Sequence, residues 1–459
     1  MAPDPRSPPA DTLPSGRIVE RVASREDPSE AYAVYLPDGF ETTRKWPVLL
    51  LLDARGRALL PLRLYREAAE RYGYVVMSAY GSLSDGPIQP TERALDAMLR
   101  DAQERFAADT RRLYLVGFSG TARLAWIFAR SLRGHVAGIV GWGAGLPPGV
   151  DPARFESLGE PPFSFFGGSG YVDFNFEEMR ALRPTLEDLG IPNQVRHWEG
   201  GHGWPPAGIA EESVAWMEAH AMKAGLVEAR PRWLSRRLAE GLEEARSLAE
   251  GARPLEARER YRGLLETFGG IADVTAVEER LDRLEESDRY LDALDAATAR
   301  ARRRGELLPR LDSIVQAAWR SDDPPDVERT VDRLEIPELR AEAEGGEGED
   351  AAWAERLLED YMSRFSFYLP RSWTEVEKSE HALAALRVAE RIFPERRARI
   401  CYRRGLIFAV EGRAEETLEQ IECVLESSAA AARRLMAEPA LRFLADDRRF
   451  EELRRRVPR

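Results

Sequence analysis

The sequence contains only two cysteines, Cys401 and Cys423, among 459 residues, and both fall in a stretch that is predicted to be helical. We therefore expect neither a disulfide scaffold nor a cysteine-based zinc site. Lysine is also scarce, at Lys45, Lys223 and Lys378 only, and no run of Lys and Arg could form a basic stripe on a helix. The 66 Lys and Arg residues against 79 Asp and Glu residues give a net charge of −13, which repels phosphate backbones and argues against a nucleic-acid partner.

Long hydrophobic runs are missing as well. The longest, such as residues 48–52, fall far short of the roughly 20 residues that cross a bilayer, so the protein is expected to be soluble. Residues 1–16 are rich in proline and are expected to be disordered. They lack a charged start followed by an apolar segment, so no signal peptide is visible and a cytoplasmic location is expected. A periplasmic or secreted location stays open if the true start lies upstream.

The composition changes near residue 224, and this change predicts two domains. Residues 17–224 alternate short apolar runs with amphipathic stretches, which is typical of βα units and a doubly wound, mostly parallel α/β sheet. The first two strands precede any helix and are expected to pair antiparallel at one edge. Strands are predicted at 17–22, 31–36, 47–52, 74–78, 113–118, 136–142, 163–166 and 194–198. Helices are predicted at 60–72, 91–107, 121–132, 175–189 and 210–223.

Residues 225–459 carry more charge and are predicted to form an all-helical domain. Two segments, residues 245–265 and 402–425, space small and large apolar residues in a way that resembles a tetratricopeptide repeat. Each pair of helices in such a repeat buries its apolar face against the next pair. The resemblance implies a groove that binds a protein or peptide partner. The alternative role for this domain is to control access to a site on the first domain.

One motif at the junction of a strand and a helix could carry chemistry. Residues 115–121 read Leu-Val-Gly-Phe-Ser-Gly-Thr, and they end one predicted strand and open the next helix. A serine at such a tight turn exposes its hydroxyl, while Gly117 and Gly120 leave room for the backbone. The N–H groups of the helix start can stabilise an oxyanion. Ser119 is therefore the candidate nucleophile, and the alternative is that it only caps the helix.

A nucleophilic serine needs a base and an acid, and the sequence offers one good candidate for each. Of the five histidines, only His202 lies in a glycine-rich loop just after the final predicted strand. Asp173 follows the strand 163–166 and is the only acid between Glu160 and Glu177. A carboxylate there can hold the histidine tautomer, although capping of the following helix is the alternative. Glu199 is the fallback acid.

The order Ser119, Asp173, His202 on these elements resembles the α/β-hydrolase superfamily and its nucleophile elbow, Gly-x-Ser-x-Gly. The chain departs from that motif at the last position, where Thr121 replaces glycine. The resemblance covers about half of the chain. It implies a catalytic triad of these three residues.

The resemblance also implies an oxyanion hole made by backbone N–H groups. Matching the loop after the third strand assigns them to Arg55 and Gly120, with Ala54 as the alternative to Arg55. Asp53 stands where many relatives have histidine, and we expect it to pair with Arg55 or Arg57 and fix the loop.

The resemblance implies a serine hydrolase that cleaves carboxylic esters, similar to small carboxylesterases and dienelactone hydrolases, with no metal and no cofactor. Trp142 and Trp204, at strand ends beside the proposed site, either line a substrate pocket or cap the core. A small-molecule ester is the expected substrate. A peptidase of the same fold is an alternative, and so is an interaction protein whose hydrolase domain is inactive or regulatory.

Overall fold

The computed structural model describes residues 13–84, 86–156, 158, 163–251, 253–346 and 348–457. The chain forms two compact units, Met1–Asp295 and Ala296–Arg459. Within the described ranges, no helix is both long enough and apolar enough to cross a membrane.

The first unit is built on a mixed β-sheet. In the described part of the chain its eight strands are β1 (Ile18–Ala23), β2 (Ala31–Tyr35), β3 (Trp46–Leu52), β4 (Val75–Ala79), β5 (Ala108–Phe118), β6 (Gly138–Trp142), β7 (Ser164–Gly170) and β8 (Asn193–Trp198). They lie in the order β1-β2-β4-β3-β5-β6-β7-β8. The pairs β1–β2 and β2–β4 are antiparallel, and every later pair is parallel. The predicted fold class, with its antiparallel edge, is confirmed.

Helices cover both faces of this sheet. They are α1 (Leu59–Tyr72), α2 (Gln89–Arg105), α3 (Gly120–Ser131), α4 (Phe176–Asp188) and α5 (Ala207–Lys223). Strand β3 is apolar throughout because both of its faces are buried. Leu50 packs in a core with α2, α3 and α4, while its neighbour Leu51 packs in a second core with α1 and α5. Because successive side chains point to opposite faces, a strand covered on both sides needs apolar residues at every position. The carboxyl ends of the parallel strands all open on one rim of the sheet.

Everything after α5 is helical or irregular in the described residues. The helices are α6 (Pro231–Glu250), α7 (Pro254–Phe268), α8 (Thr275–Glu285), α9 (Asp288–Arg320), α10 (Val327–Arg333), α11 (Ile336–Gly345), α12 (Gly348–Ser363), α13 (Leu369–Glu375), α14 (Ser379–Ile392), α15 (Arg397–Val410), α16 (Ala414–Ser427), α17 (Ala429–Met436) and α18 (Arg448–Arg456). The two segments that resemble tetratricopeptide repeats form the helix pairs α6–α7 and α15–α16. A repeat array stays a prediction. So does a domain boundary at residue 224, since α6 to α8 belong to the same compact unit as the sheet.

Two details differ from the expectations. Residues 1–12 of the predicted disordered segment lie outside the described residues, but Leu13 is buried in the core and the Gly16 N–H donates to Leu36 O at 2.8 Å. The expectation about cysteine was wrong: Cys401 and Cys423 form a disulfide, with Cα atoms 6.1 Å apart. The two residues lie on separate helices, α15 and α16, because the chain reverses at Gly412, whose φ is +70°.

Candidate active site

The turn between β5 and α3 has the geometry that exposes a serine hydroxyl. Ser119 has φ +57° and ψ −127°, a strained conformation for a residue with a side chain, and its N–H donates to Trp142 O at 2.7 Å. A Cβ added to Gly117 would lie 2.6 Å from the backbone of Ala122, and one added to Gly120 would lie 2.4 Å from the Ser84 Cβ. Only glycine fits at these two positions.

Thr121, the departure from the hydrolase motif, is accommodated by hydrogen bonds. Its side chain is buried, and its hydroxyl accepts the Phe118 N–H at 3.0 Å. The same hydroxyl lies 2.5 Å from Leu52 O and 2.8 Å from Phe118 O. The threonine therefore links the serine turn to the end of β3, a contact that glycine lacks.

The structure brings together Ser119, His202 and Asp173, which are far apart in the sequence. His202 Nε2 lies 2.9 Å from Ser119 Oγ, and His202 Nδ1 lies 3.0 Å and 2.9 Å from the two carboxylate oxygens of Asp173. Asp173 is fully buried, whereas 22% of the His202 side chain is exposed. Asp173 also accepts the Asn175 N–H at 2.8 Å, so its contact with the start of α4 and its contact with His202 coexist.

Residues that the sequence analysis missed hold the His202 ring in place. The rings of Phe118 and Phe174 lie on it, with centroid distances of 4.8 Å and 4.3 Å. Gly143, at φ +65°, approaches so closely that an added Cβ would lie 3.1 Å from the imidazole, and Asn175 Nδ2 fixes it by donating to Gly143 O at 2.7 Å. The available signals were a glycine directly after β6 and aromatic residues next to Ser119 and Asp173.

The structure corrects one of the two expected oxyanion donors. The Arg55 N–H donates to Asp53 Oδ1 at 2.9 Å, so Asp53 already occupies it. Gly120 is the first residue of α3, and an N–H at that position has no partner within the helix. Ala54, the alternative to Arg55, lies near Gly120, because Ser84 donates its N–H to Ala54 O at 3.1 Å and packs against Gly120.

Asp53 is a fully buried carboxylate that joins two loops. Arg57 donates to it from its N–H at 3.1 Å, from Nε at 2.9 Å and from Nη2 at 2.9 Å. Trp204, two residues after His202, donates Nε1–H to Asp53 Oδ2 at 2.9 Å. Burial alone would raise the pKa of Asp53, but the hydrogen bonds from Arg57, Trp204 and Arg55 outweigh it and lower that pKa. The expected pairing with Arg57 is present, and the contact with Trp204 was not foreseen.

The two candidate pocket residues and the fallback acid differ in their burial and their partners. Trp142 is fully buried and donates Nε1–H to Tyr65 OH at 3.0 Å, so it caps the core and does not line an open pocket, which corrects one of the two expectations for it. Trp204 is partly exposed and lies beside Phe118, with ring centroids 5.7 Å apart. Glu199, the fallback acid, is exposed and pairs with Arg253.

Two other histidines of the described chain have different surroundings. His220 is buried on α5, and burial, followed by the charge of Lys223, lowers its pKa to about 3. His197 lies against Ser169, 3.2 Å from its hydroxyl. Among the residues that the structure describes, no group of three His, Cys, Asp or Glu side chains is placed to hold a metal ion.

No protein-family model matches the chain, and no curated protein matches its sequence. Solved structures do. A substrate-bound fluorophosphonate-binding serine hydrolase of Staphylococcus aureus is 14% identical, with a TM-score of 0.37 over 44% of this chain and 99% of the other. A ferulic acid esterase is 16% identical, with a TM-score of 0.35 over 44% and 96%. An esterase of the archaeon Pyrobaculum calidifontis is 16% identical, with a TM-score of 0.36 over 46% and 88%.

Proposed function

We propose that the protein is a serine hydrolase that cleaves carboxylic esters, with Ser119 as nucleophile, His202 as general base and acid, and Asp173 as the carboxylate that orients His202. The observation that carries this proposal is the unbroken hydrogen-bonded chain from the Ser119 hydroxyl through both nitrogens of His202 to a fully buried carboxylate. A histidine that contacts a serine at one nitrogen and a carboxylate at the other is the arrangement that activates a hydroxyl.

The proposed reaction runs in two halves. Ser119 Oγ attacks the ester carbonyl carbon while His202 Nε2 takes the hydroxyl proton, and the N–H groups of Gly120 and Ala54 stabilise the tetrahedral oxyanion. The intermediate collapses, the alcohol leaves with the proton from His202, and an acyl-serine remains. Water then attacks the acyl carbon and gives its proton to His202. Collapse of the second intermediate returns that proton to Ser119 and releases the carboxylic acid.

The strained turn at Ser119 supports this role over helix capping. The residue has no side-chain hydrogen bond to the N–H groups of α3, so its hydroxyl is not engaged as a cap. Its Oγ is instead directed to His202. We propose an ester as the substrate class because a serine nucleophile cleaves an ester more readily than an amide. A peptidase is therefore the weaker alternative.

Replacement of the nucleophile tests the proposal. In the full chain, Ser119→Ala should lower kcat for p-nitrophenyl acetate by at least about 10³-fold and abolish labelling by a fluorophosphonate probe, because the acyl-enzyme cannot form. The matched control is Ser131→Ala at the other end of α3, where the exposed hydroxyl donates to Ile127 O, and it should behave like the native chain. Native turnover and labelling in the Ser119→Ala protein would refute the mechanism.

A further inference from the structure

We propose that Asp53 is a positioning residue that, through Trp204, holds the loop bearing His202 against the loop bearing the oxyanion donor. This inference rests on the proposed function and deepens it. The two loops follow β8 and β3 and are separated by about 150 residues of sequence, since Trp204 lies 151 residues after Asp53. Catalysis by the proposed route needs the two loops at a fixed distance from each other. His202 moves the proton while a backbone N–H of the β3 loop stabilises the negative charge of the oxyanion.

The first support is the way Asp53 satisfies its hydrogen-bonding capacity. Its two oxygens accept five donor groups: the N–H groups of Arg55 and Arg57, the Nε and Nη2 groups of Arg57, and the Nε1 group of Trp204. Only a carboxylate offers acceptor sites on both oxygens and no donor of its own. An asparagine would turn its NH₂ group toward Arg57 or Trp204. The site is therefore specific for an ionised aspartate.

The second support is the direction in which the connections run. Arg55 and Arg57 bind Asp53 within its own loop, which makes that loop a rigid platform. Of these five donors to the carboxylate, the Trp204 Nε1–H is the one from outside the loop, and Trp204 lies only two positions after His202. A displacement of about 1 Å at a catalytic group can lower the rate by about 100-fold, so a short rigid link of this kind matters to the rate.

The third support is that the negative charge of Asp53 is neutralised by Arg57. The Asp53 carboxylate would oppose a developing oxyanion if its charge were free, but Arg57 lies on both of its oxygens at 2.9 Å. The guanidinium neutralises the carboxylate locally and lets it serve as an anchor. Trp204 completes the anchor with a ring that also lies on Phe118, the residue before Ser119. The link therefore reaches the nucleophile turn as well.

The test breaks the link from each side in the full chain. Trp204→Phe keeps an aromatic ring beside Phe118 but deletes the indole N–H together with the five-membered ring that carries it, and Asp53→Asn changes the acceptor. We expect each variant to lower kcat for p-nitrophenyl acetate by about 10- to 100-fold with KM changed less than about threefold. The double variant should lose little more than the worse single variant, because both changes break the same contact.

The matched control is Trp46→Phe at the opposite end of β3. Trp46 Nε1 donates to Glu41 O at 2.8 Å, so this variant also loses one indole hydrogen bond from the same strand, far from the rim. It should change the melting temperature and leave kcat unchanged. A structural role alone for Trp204 would give the same pattern as this control.

The outcomes separate the two proposals. If the native chain shows Ser119-dependent turnover and Trp204→Phe keeps native kcat, the positioning role is overturned while the hydrolase proposal stands. Full additivity of the two single losses also overturns the positioning role. If the native chain and Ser119→Ala behave alike, the proposed function fails and the positioning role fails with it. A loss of kcat in Trp204→Phe that is absent in Trp46→Phe, together with a less than additive loss in the double variant, supports the link.

Discussion

Two buried carboxylates on the same rim of the sheet hold one loop at two points. Asp53 follows β3 and Asp173 follows β7, and both are fully shielded from solvent. Each accepts the backbone N–H two residues further along the chain, at 2.9 Å and 2.8 Å. Each also contacts a ring nitrogen of the loop after β8: Trp204 Nε1 for Asp53 and His202 Nδ1 for Asp173. The two acids therefore share a backbone contact and a ring-nitrogen contact.

The difference between them is a guanidinium. Arg57 pairs with Asp53, whereas no Arg or Lys forms an ion pair with Asp173 within the described residues. A carboxylate that already has a cationic partner gains little from a second positive charge nearby. An unpaired buried carboxylate stabilises the imidazolium that forms beside it. We therefore propose that the same side chain, equally buried, serves as an anchor in one loop and as the catalytic partner of His202 in the other, according to its charge partner.

The largest expected effect follows directly from this difference. Asp173→Asn should lower kcat for p-nitrophenyl acetate by on the order of 10⁴-fold, because an amide cannot hold the required tautomer or stabilise the imidazolium. Asp53→Asn should lower the same kcat by only about 10- to 100-fold, since it disturbs the relative position of the two loops and leaves the proposed catalytic residues in place. Steady-state kinetics on both variants would measure the gap. Equal losses would mean that the guanidinium does not distinguish the two acids.

The Asp173 side of the rim is also braced by the helical region. Arg253, at the turn between α6 and α7, donates to Tyr171 OH at 3.0 Å and pairs with Glu199. Tyr171 in turn donates to Glu256 at the start of α7. Tyr171 precedes Asp173 by two residues, and Glu199 precedes His202 by three. The first helices after the sheet therefore contact both loops that meet at Asp173.

Truncation tests whether that bracing matters. A chain of residues 1–224 removes the cover that α6 and α7 give to Met222, together with the Arg260 partner of partly buried Glu212. We expect it to lose more than about 3 kcal/mol of unfolding free energy and most of its turnover, relative to residues 1–287, which end before α9. Urea unfolding and esterase assays on the two chains make the comparison. Equal stability and activity would favour an independent domain that ends at residue 224.

The sequence predicted the sheet well because its signals are local. A strand such as β3, buried on both faces, must be apolar throughout, and the amphipathic helices between strands show their own period. The same logic located the residues that the structure brings together: Ser119, Asp173 and His202 each follow a strand that ends on the rim where parallel sheets place their sites.

The parts that failed depend on particular side-chain contacts, some within one loop and others between residues far apart in the sequence. Arg55 and Ala54 are adjacent, and which N–H faces the site depends on how the Asp53 carboxylate folds back over its own loop, which no periodicity encodes. The burial of Trp142 depends on Tyr65, from a helix 77 residues earlier. The disulfide was missed because Cys401 and Cys423 become neighbours only when α15 and α16 pack together.

The smallest expected effect is on the free energy of unfolding at low pH. It isolates the contribution of Asp53 from that of the other acidic residues. The pKa of Asp53 is lowered from 3.8, so its ionised form stabilises the folded state above that pH, and this contribution is lost as pH falls through the lower folded-state pKa. Asp53→Asn removes the titrating group. The stability difference between the native chain and Asp53→Asn should therefore be full at about pH 6 and smaller at about pH 3. Urea unfolding at both pH values measures it, and a difference that stays constant would show that the hydrogen bonds from Arg57 and Trp204 do not favour the ionised carboxylate.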